Sequence, residues 1–231
     1  MNKLEYTITT WPANGLPETL AQRTRKVYDR LAPVYGISTL LFHSRAHRRA
    51  LEVSDLHNGM RVLEVATGSG EMFRRLVRAN RGGATLGVDL SPNMASRTQW
   101  RVQREFPDSK TQCHAVDARQ MPFRDGAFQA VFCCYLLELL SSDDIVRTIG
   151  EFHRVLDRGG QLVLVLIGQN TAAFNAMYRV AGKVAPAFWG RQVEQRVPEL
   201  VEASDFAIER DTHVRQIFYP SRVLVARKRA E

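Results

Sequence analysis

Apolar residues recur along the chain in two rhythms. From Arg61 onward, short unbroken runs rich in Val, Leu and Ile alternate with segments whose apolar positions return every three or four residues. Unbroken runs of that length describe strands buried on both faces, and the segments between them describe the crossover helices that parallel strands require. The pattern predicts strands over Arg61 to Val65, Ala84 to Asp89, Gln112 to Val116, Phe128 to Cys134 and Gln161 to Ile167. Helices are expected near Met72 to Ala79, Pro92 to Phe106 and Asp143 to Leu156, with Ser91 and Ser142 as N-caps and Gly159-Gly160 as a stop after the last of them.

The tail breaks the alternation. FAIERDTHVRQ and SRVLVARK are two extended stretches with too little chain between them for a crossover helix, so they should pair antiparallel. Ahead of the sheet, LAQRTRKVYDRLAPVYG and ISTLLFHSRAHRRALEVSDL read as helices broken around Pro33 and Gly36. The expected organisation is an arm over residues 1–16, a helical cap over 17–58 and one α/β domain over 59–231: a seven-stranded, mostly parallel sheet with a C-terminal antiparallel hairpin and helices on both faces.

A chain of 231 residues with 45% apolar side chains suits one such domain. The net charge of +8 would favour anionic partners, but arginines and lysines are scattered among acids and do not alternate with aromatics as a base-stacking surface would, so nucleic acid is disfavoured. Cys113, Cys133 and Cys134 lie in apolar runs without the spacing of a zinc site and read as reduced thiols. No stretch has the apolar length of a secretion signal or a bilayer span, which gives the expectation of a cytoplasmic protein able to touch a membrane surface.

The candidate chemistry starts in VLEVATGSGEM, residues 62–72. A strand, a glycine-bearing turn and a helix place backbone N–H groups at the carboxyl end of a parallel strand, where such sheets bind ligands. Asp89 closes the next strand at the separation suited to ribose hydroxyls, so a nucleoside is expected. A dinucleotide turn wants a third glycine where this chain has Phe73, and Glu64 and Glu71 would repel a pyrophosphate. Those acids suit a ligand carrying an ammonium and a sulfonium instead.

These residues resemble the class I S-adenosylmethionine (SAM) methyltransferases over nearly all the chain from Arg61 to the end. The resemblance rests on the acid and alternating glycines (Glu64, Gly68, Gly70), on GVDLSPNM, on HAVDARQMPFRDGAFQAVFCCYLLELL and on EFHRVLDRGGQLVLV. Ala66 departs from the pattern, standing where the family usually has its first glycine. The resemblance implies a cofactor pocket of Glu64, Ala66, Thr67, Gly68, Gly70, Asp89, Leu90, Met94, Asp117, Ala118 and the backbone of Cys134. It puts Asp89 on the ribose, Leu90 and Met94 flanking the adenine, and Asp117 and Ala118 at the adenine's side.

KVYDRLAPVYGISTLLFHSRAHRRALE is similar to the N-terminal helices of the quinone-methylating branch, which cover the pocket. That branch and the related phospholipid amine methyltransferases imply a small lipophilic acceptor. A segment near 170–200, with Phe174, Met177, Tyr178, Val184, Phe188 and Trp189, is the candidate acceptor wall. Methyl transfer needs alignment and exclusion of water rather than a metal. A phenolic or enolic acceptor would use a base, for which Tyr35, His47 and Glu138 are candidates. His43 and His47 also read as solvated helix-face residues. A soluble natural product, an RNA, or SAM binding without catalysis are the alternatives.

Overall fold

The computed structural model describes residues 44–169, 193–216 and 220–230. Helix α1, described over 44–53, precedes β1 (Arg61–Val65), α2 (Glu71–Ala79), β2 (Ala84–Asp89), α3 (Pro92–Glu105), β3 (Lys110–Ala115) and β4 (Phe128–Cys134). A single 3-10 turn (Leu137–Leu139) leads into α4 (Ser142–Val155), followed by β5 (Leu156–Ile167), α5 (Val197–Ala203), β6 (Phe206–Val214) and β7 (Ser221–Lys228). The strands form one sheet in the order β3-β2-β1-β4-β5-β7-β6. All pairs from β3 to β5 are parallel, and β7 is antiparallel to both β5 and β6.

The strand order reverses at β1 and β4, so the loops after these two strands diverge and leave a crevice at their carboxyl ends. Both faces of the sheet are covered by apolar clusters. One gathers Leu63, Val131 and Leu164 with Ile149 and Phe152 of α4 and Val201 of α5; the other gathers Val62, Phe132 and Val163 with Ala46 and Ala50 of α1 and Leu76 of α2. The buried Asn80 closes the opposite end of β1, its Oδ1 accepting from the N–H groups of Gly59 and Met60 at 2.9 and 3.0 Å.

The five expected parallel strands, the three helices between them and the hairpin are present, with three local corrections, while the arm over 1–16 and the helix expected over LAQRTRKVYDRLAPVYG lie outside the described residues. The cap of α4 is Ser141 rather than Ser142, its hydroxyl accepting from Asp144 N–H at 3.1 Å. Gly159-Gly160 does not stop α4, which ends at Val155. These glycines lie inside β5: Leu156 pairs with Phe128, Asp157 to Gly160 form a bulge with Gly159 at φ +66°, and the ladder resumes at Gln161 opposite Ala130. His47 is no solvated-face residue; it is 3% exposed and its ring lies 6.2 Å from that of Tyr135. Tyr28, Tyr35, His43 and the apolar residues from Phe174 to Trp189 lie outside the described residues.

Candidate functional site: the crevice at the switch point

The turn between β1 and α2 is stitched to β2 before any ligand is considered. Ala66 and Thr67 both donate to the carbonyl of Val88, at 2.8 and 3.2 Å, and Gly70 N–H donates to Thr67 O at 2.8 Å. Gly68 and Gly70 take left-handed backbone at φ +49° and +76°, and Ala66 does so as well at +64°. The alanine therefore keeps the conformation of the glycine it replaces and carries the strain of a Cβ in that region. The two glycines differ in what they face. A Cβ on Gly70 would stand 2.7 Å from Thr98 Oγ1, so this glycine lets α2 pack on α3, whereas a Cβ on Gly68 would meet nothing nearer than Ala66 O at 4.0 Å.

Four acids surround this turn, and they are not equivalent. Glu64 is 1% exposed, one of its oxygens is without a hydrogen-bond partner, and burial together with the nearby charge of Asp89 raises its pKa well above the usual carboxyl value. Asp89 accepts from Gly68 N–H at 2.8 Å and from Ser91 N–H at 2.9 Å, so it clamps the glycine turn. Glu71 is already answered within the protein: Arg74, Arg75 and Arg101 lie 3.0, 3.2 and 3.5 Å from its oxygens, which runs against the expectation that it would pair with a bound cation.

Asp117 is gripped by Arg119, whose Nε lies 3.0 and 3.1 Å from the two oxygens and whose Nη2 lies 2.6 Å from Oδ2. Burial would raise the pKa of Asp117, and these bonds outweigh it and hold the group below its ordinary value.

Val65, Ala66, Val88, Asp89, Leu90, Val116, Asp117, Ala118, Arg119, Leu136 and Leu140 line a cleft of about 340 Å³, part of it open to solvent. Five of the expected cofactor residues, Ala66, Asp89, Leu90, Asp117 and Ala118, thus share one wall. Thr67 and Gly68 form the turn at its edge, while Cys134 ends β4 and Met94 is buried in the first turn of α3, both outside that lining. Arg119, Leu136 and Leu140 were not expected. Arg119 carries no motif signal, and the two leucines were legible only as part of an apolar run after β4.

Beyond the cleft, at the ends of β4 and β5, lies a second polar group. Tyr135 follows β4 with φ +56°, its hydroxyl 2.8 Å from Ser221 Oγ, and Gln216 Nε2 donates to both at 3.3 and 2.7 Å. Glu138 is 1% exposed; its Oε1 accepts from Ile167 N–H at 2.6 Å and its Oε2 has no partner. Burial pushes its pKa up to about 7 against the pull of the Ile167 N–H, with Glu194 adding to the rise. Of the three candidate bases, Glu138 and His47 are placed near the sheet's carboxyl edge, and Tyr35 lies outside the described residues.

Residues 62–160 match the family model described as a methyltransferase domain. Over 142 residues the chain is 30% identical to the 2-phytyl-1,4-naphtoquinone methyltransferase of Nostoc sp., covering 59% of this chain and 61% of that protein. Over 188 residues it is 29% identical to the demethylmenaquinone methyltransferase of Thermus thermophilus, covering 77% and 84%. The chain thus spans about six-tenths of the length of the Nostoc protein.

Among solved structures, the magnesium protoporphyrin IX methyltransferase of Synechocystis, with bound S-adenosylhomocysteine (SAH), aligns over 92% of this chain and all of its own at TM-score 0.71 and 20% identity. The [4+2]-cyclase SpnF aligns over 91% and 97% at TM-score 0.73 and 19% identity. At those identities the likeness concerns the fold.

S-adenosylmethionine, the cofactor implied by the sequence resemblance, fits what the site leaves open: an uncompensated buried carboxyl at Glu64, and free space over the backbone at Gly68. With the sheet order and the glycine turn in agreement, residues 62–160 form a methyltransferase domain.

Proposed function

We propose that the chain transfers a methyl group from SAM to a small lipophilic acceptor, a quinone-related ring in its hydroxylated, reduced form. The observation that carries the reading is Glu64, a buried carboxyl with an open oxygen beneath a turn where Gly68 leaves the backbone accessible. Such a combination asks for a cationic ligand lying against main chain. The quinone-ring acceptor is supported by the names of the relatives from Nostoc and Thermus.

When bound, the cofactor supplies an electrophilic methyl group on a sulfonium. The chain's own residues then have three tasks. Asp89 would hold the ribose hydroxyls while fixing Gly68, with Glu64 compensating positive charge below the turn. Asp117 and Ala118 would address the adenine edge, with Leu90, Val116, Leu136 and Leu140 walling its faces against water. Alignment and dryness are the larger part of what such a displacement requires from a protein. Among the described residues, no helix is long and apolar enough to cross a membrane.

The test is transfer of label. Incubation with methyl-labelled SAM and a reduced prenylated naphthoquinone lacking the ring methyl is expected to move label into the organic phase. Label moving instead into tRNA, or into neither, would contradict the proposed acceptor.

A further inference from the structure

At the carboxyl end of β5, two buried acids converge from different elements. Glu138 arrives from the turn after β4 and is tied to Ile167 N–H at 2.6 Å. Ile167 pairs with Ser221, and the adjacent Arg222 donates from Nη1 to the backbone carbonyl of Glu194 at 2.6 Å, which holds Glu194 at the same end of the sheet. Glu194 is 2% exposed, and like Glu138 it keeps its Oε2 without a hydrogen-bond partner.

Arg222 is divided between acids: its Nε and Nη2 grip Asp211 at 2.9 and 2.6 Å, while its charge also acts on Glu194. Facing Glu138 are Cys133, Cys134, Tyr135 and Glu194, and facing Glu194 are Gln169, His213 and Arg222. Two buried carboxyl oxygens at the carboxyl end of β5 have no donor among the described residues, and a buried acceptor without a donor is costly.

We propose that Glu138 and Glu194 form the polar end of the acceptor site, receiving an ionisable hydroxyl on the acceptor ring, with Glu138 Oε2 as the atom that takes its proton. The acceptor's O–H bond breaks, its electron pair stays on the ring oxygen and conjugated carbons, and the proton bonds to Glu138 Oε2, from which it passes to Glu194 and solvent. One proton is released for each methyl group transferred, whether carbon or oxygen is methylated. This inference rests on the hydroxylated-ring reading above and selects its acceptor by chemistry: hydroxyarenes over the same rings with the hydroxyl masked.

The experiment is equilibrium binding of 2-naphthol and 2-methoxynaphthalene to the full chain, with and without SAH. The expected preference for the naphthol is about tenfold, the value of one charge-assisted hydrogen bond. It should grow as pH rises through about 7, where Glu138 ionises. Glu138→Gln keeps an oxygen for the Ile167 N–H, so it should fold, lose the pH dependence and reduce the preference to about twofold. Glu194→Gln should reduce the preference similarly, and both variants should bind SAH as wild type does.

A preference that survives in both folded variants, or one absent from the wild type, would overturn the proposal. Because the preference is also measured without SAH, failure of the chain to bind SAH would fall on the cofactor reading and leave this comparison intact.

Discussion

Glu64 is the residue whose chemistry the fold does not complete by itself. Its folded pKa is raised, so the folded chain retains a proton that the unfolded chain loses above about 4.5. Stability from this site is therefore intact at low pH and falls as pH rises through the folded pKa. Glu64→Gln is expected to raise the melting temperature near pH 8 and leave it unchanged near pH 4. The same variant should weaken SAH binding and abolish the proton release that accompanies it, read by calorimetry in buffers of different ionisation enthalpy. Unchanged binding and proton release would remove Glu64 from the site.

Ala66 is the other residue whose role changes once the backbone is known. Its identity suggested only a missing glycine, while its φ of +64° shows that the turn still demands one. Ala66→Gly should stabilise the chain by about 1 kcal/mol in chemical denaturation, with the loss of strain exceeding the entropy gained by the unfolded chain. Nothing in the side-chain pattern could have announced this, because an alanine in a turn carries no conformational signature.

At the scale of elements, the β1–turn–α2 unit divides its two glycines between packing and ligand approach. Gly70→Ala should cost about 2 kcal/mol or more, since its Cβ would overlap Thr98 and its backbone is left-handed. Gly68→Ala should cost about 1–2 kcal/mol for the left-handed backbone alone and yet lower SAH affinity at least tenfold, because the new methyl occupies the open space above the turn. Thermal melts and SAH titrations of the two variants should therefore rank them in opposite orders. The same ranking by both measurements would mean that the turn does not separate these roles.

The elements themselves were legible because buried parallel strands write unbroken apolar runs, as Phe128–Cys134 does. Their ends were less so. Ser141 and Ser142 are chemically identical candidates for one cap, and helix packing chooses between them. Gly159 and Gly160 look like a helix stop, but the helix gives way at Val155 to the strand pairing of Leu156 with Phe128, and the glycines absorb a bulge instead.

At the scale of the whole molecule, many arginines among the described residues stand in local pairs, as where Arg74 and Arg78 share Glu105 or Arg222 holds Asp211. This agrees with the sequence's scatter of charge and leaves function to the crevice between the loops after β1 and β4. Motif spacing made the cleft wall legible, because Ala66, Asp89, Leu90, Asp117 and Ala118 all follow or close strands of the parallel sheet. The far end of β5 was less legible: Tyr135 and Glu138, from the turn after β4, meet Glu194 from a stretch more than fifty residues away, a juxtaposition set by the sheet order and not by any local pattern. His47 shows the same limit, for its arginine-rich neighbours suggested solvent where the helix turns it toward Tyr135.

The most direct test of the whole arrangement is calorimetric titration of SAH into the full chain and into Asp89→Ala. Asp89 is the point at which the glycine turn and the cleft meet. The wild type should bind SAH, and the folded variant should bind it about 1–3 kcal/mol more weakly, having lost a charge-assisted acceptor and the clamp on Gly68. Equal affinity in the two would contradict the assignment of this crevice to the cofactor.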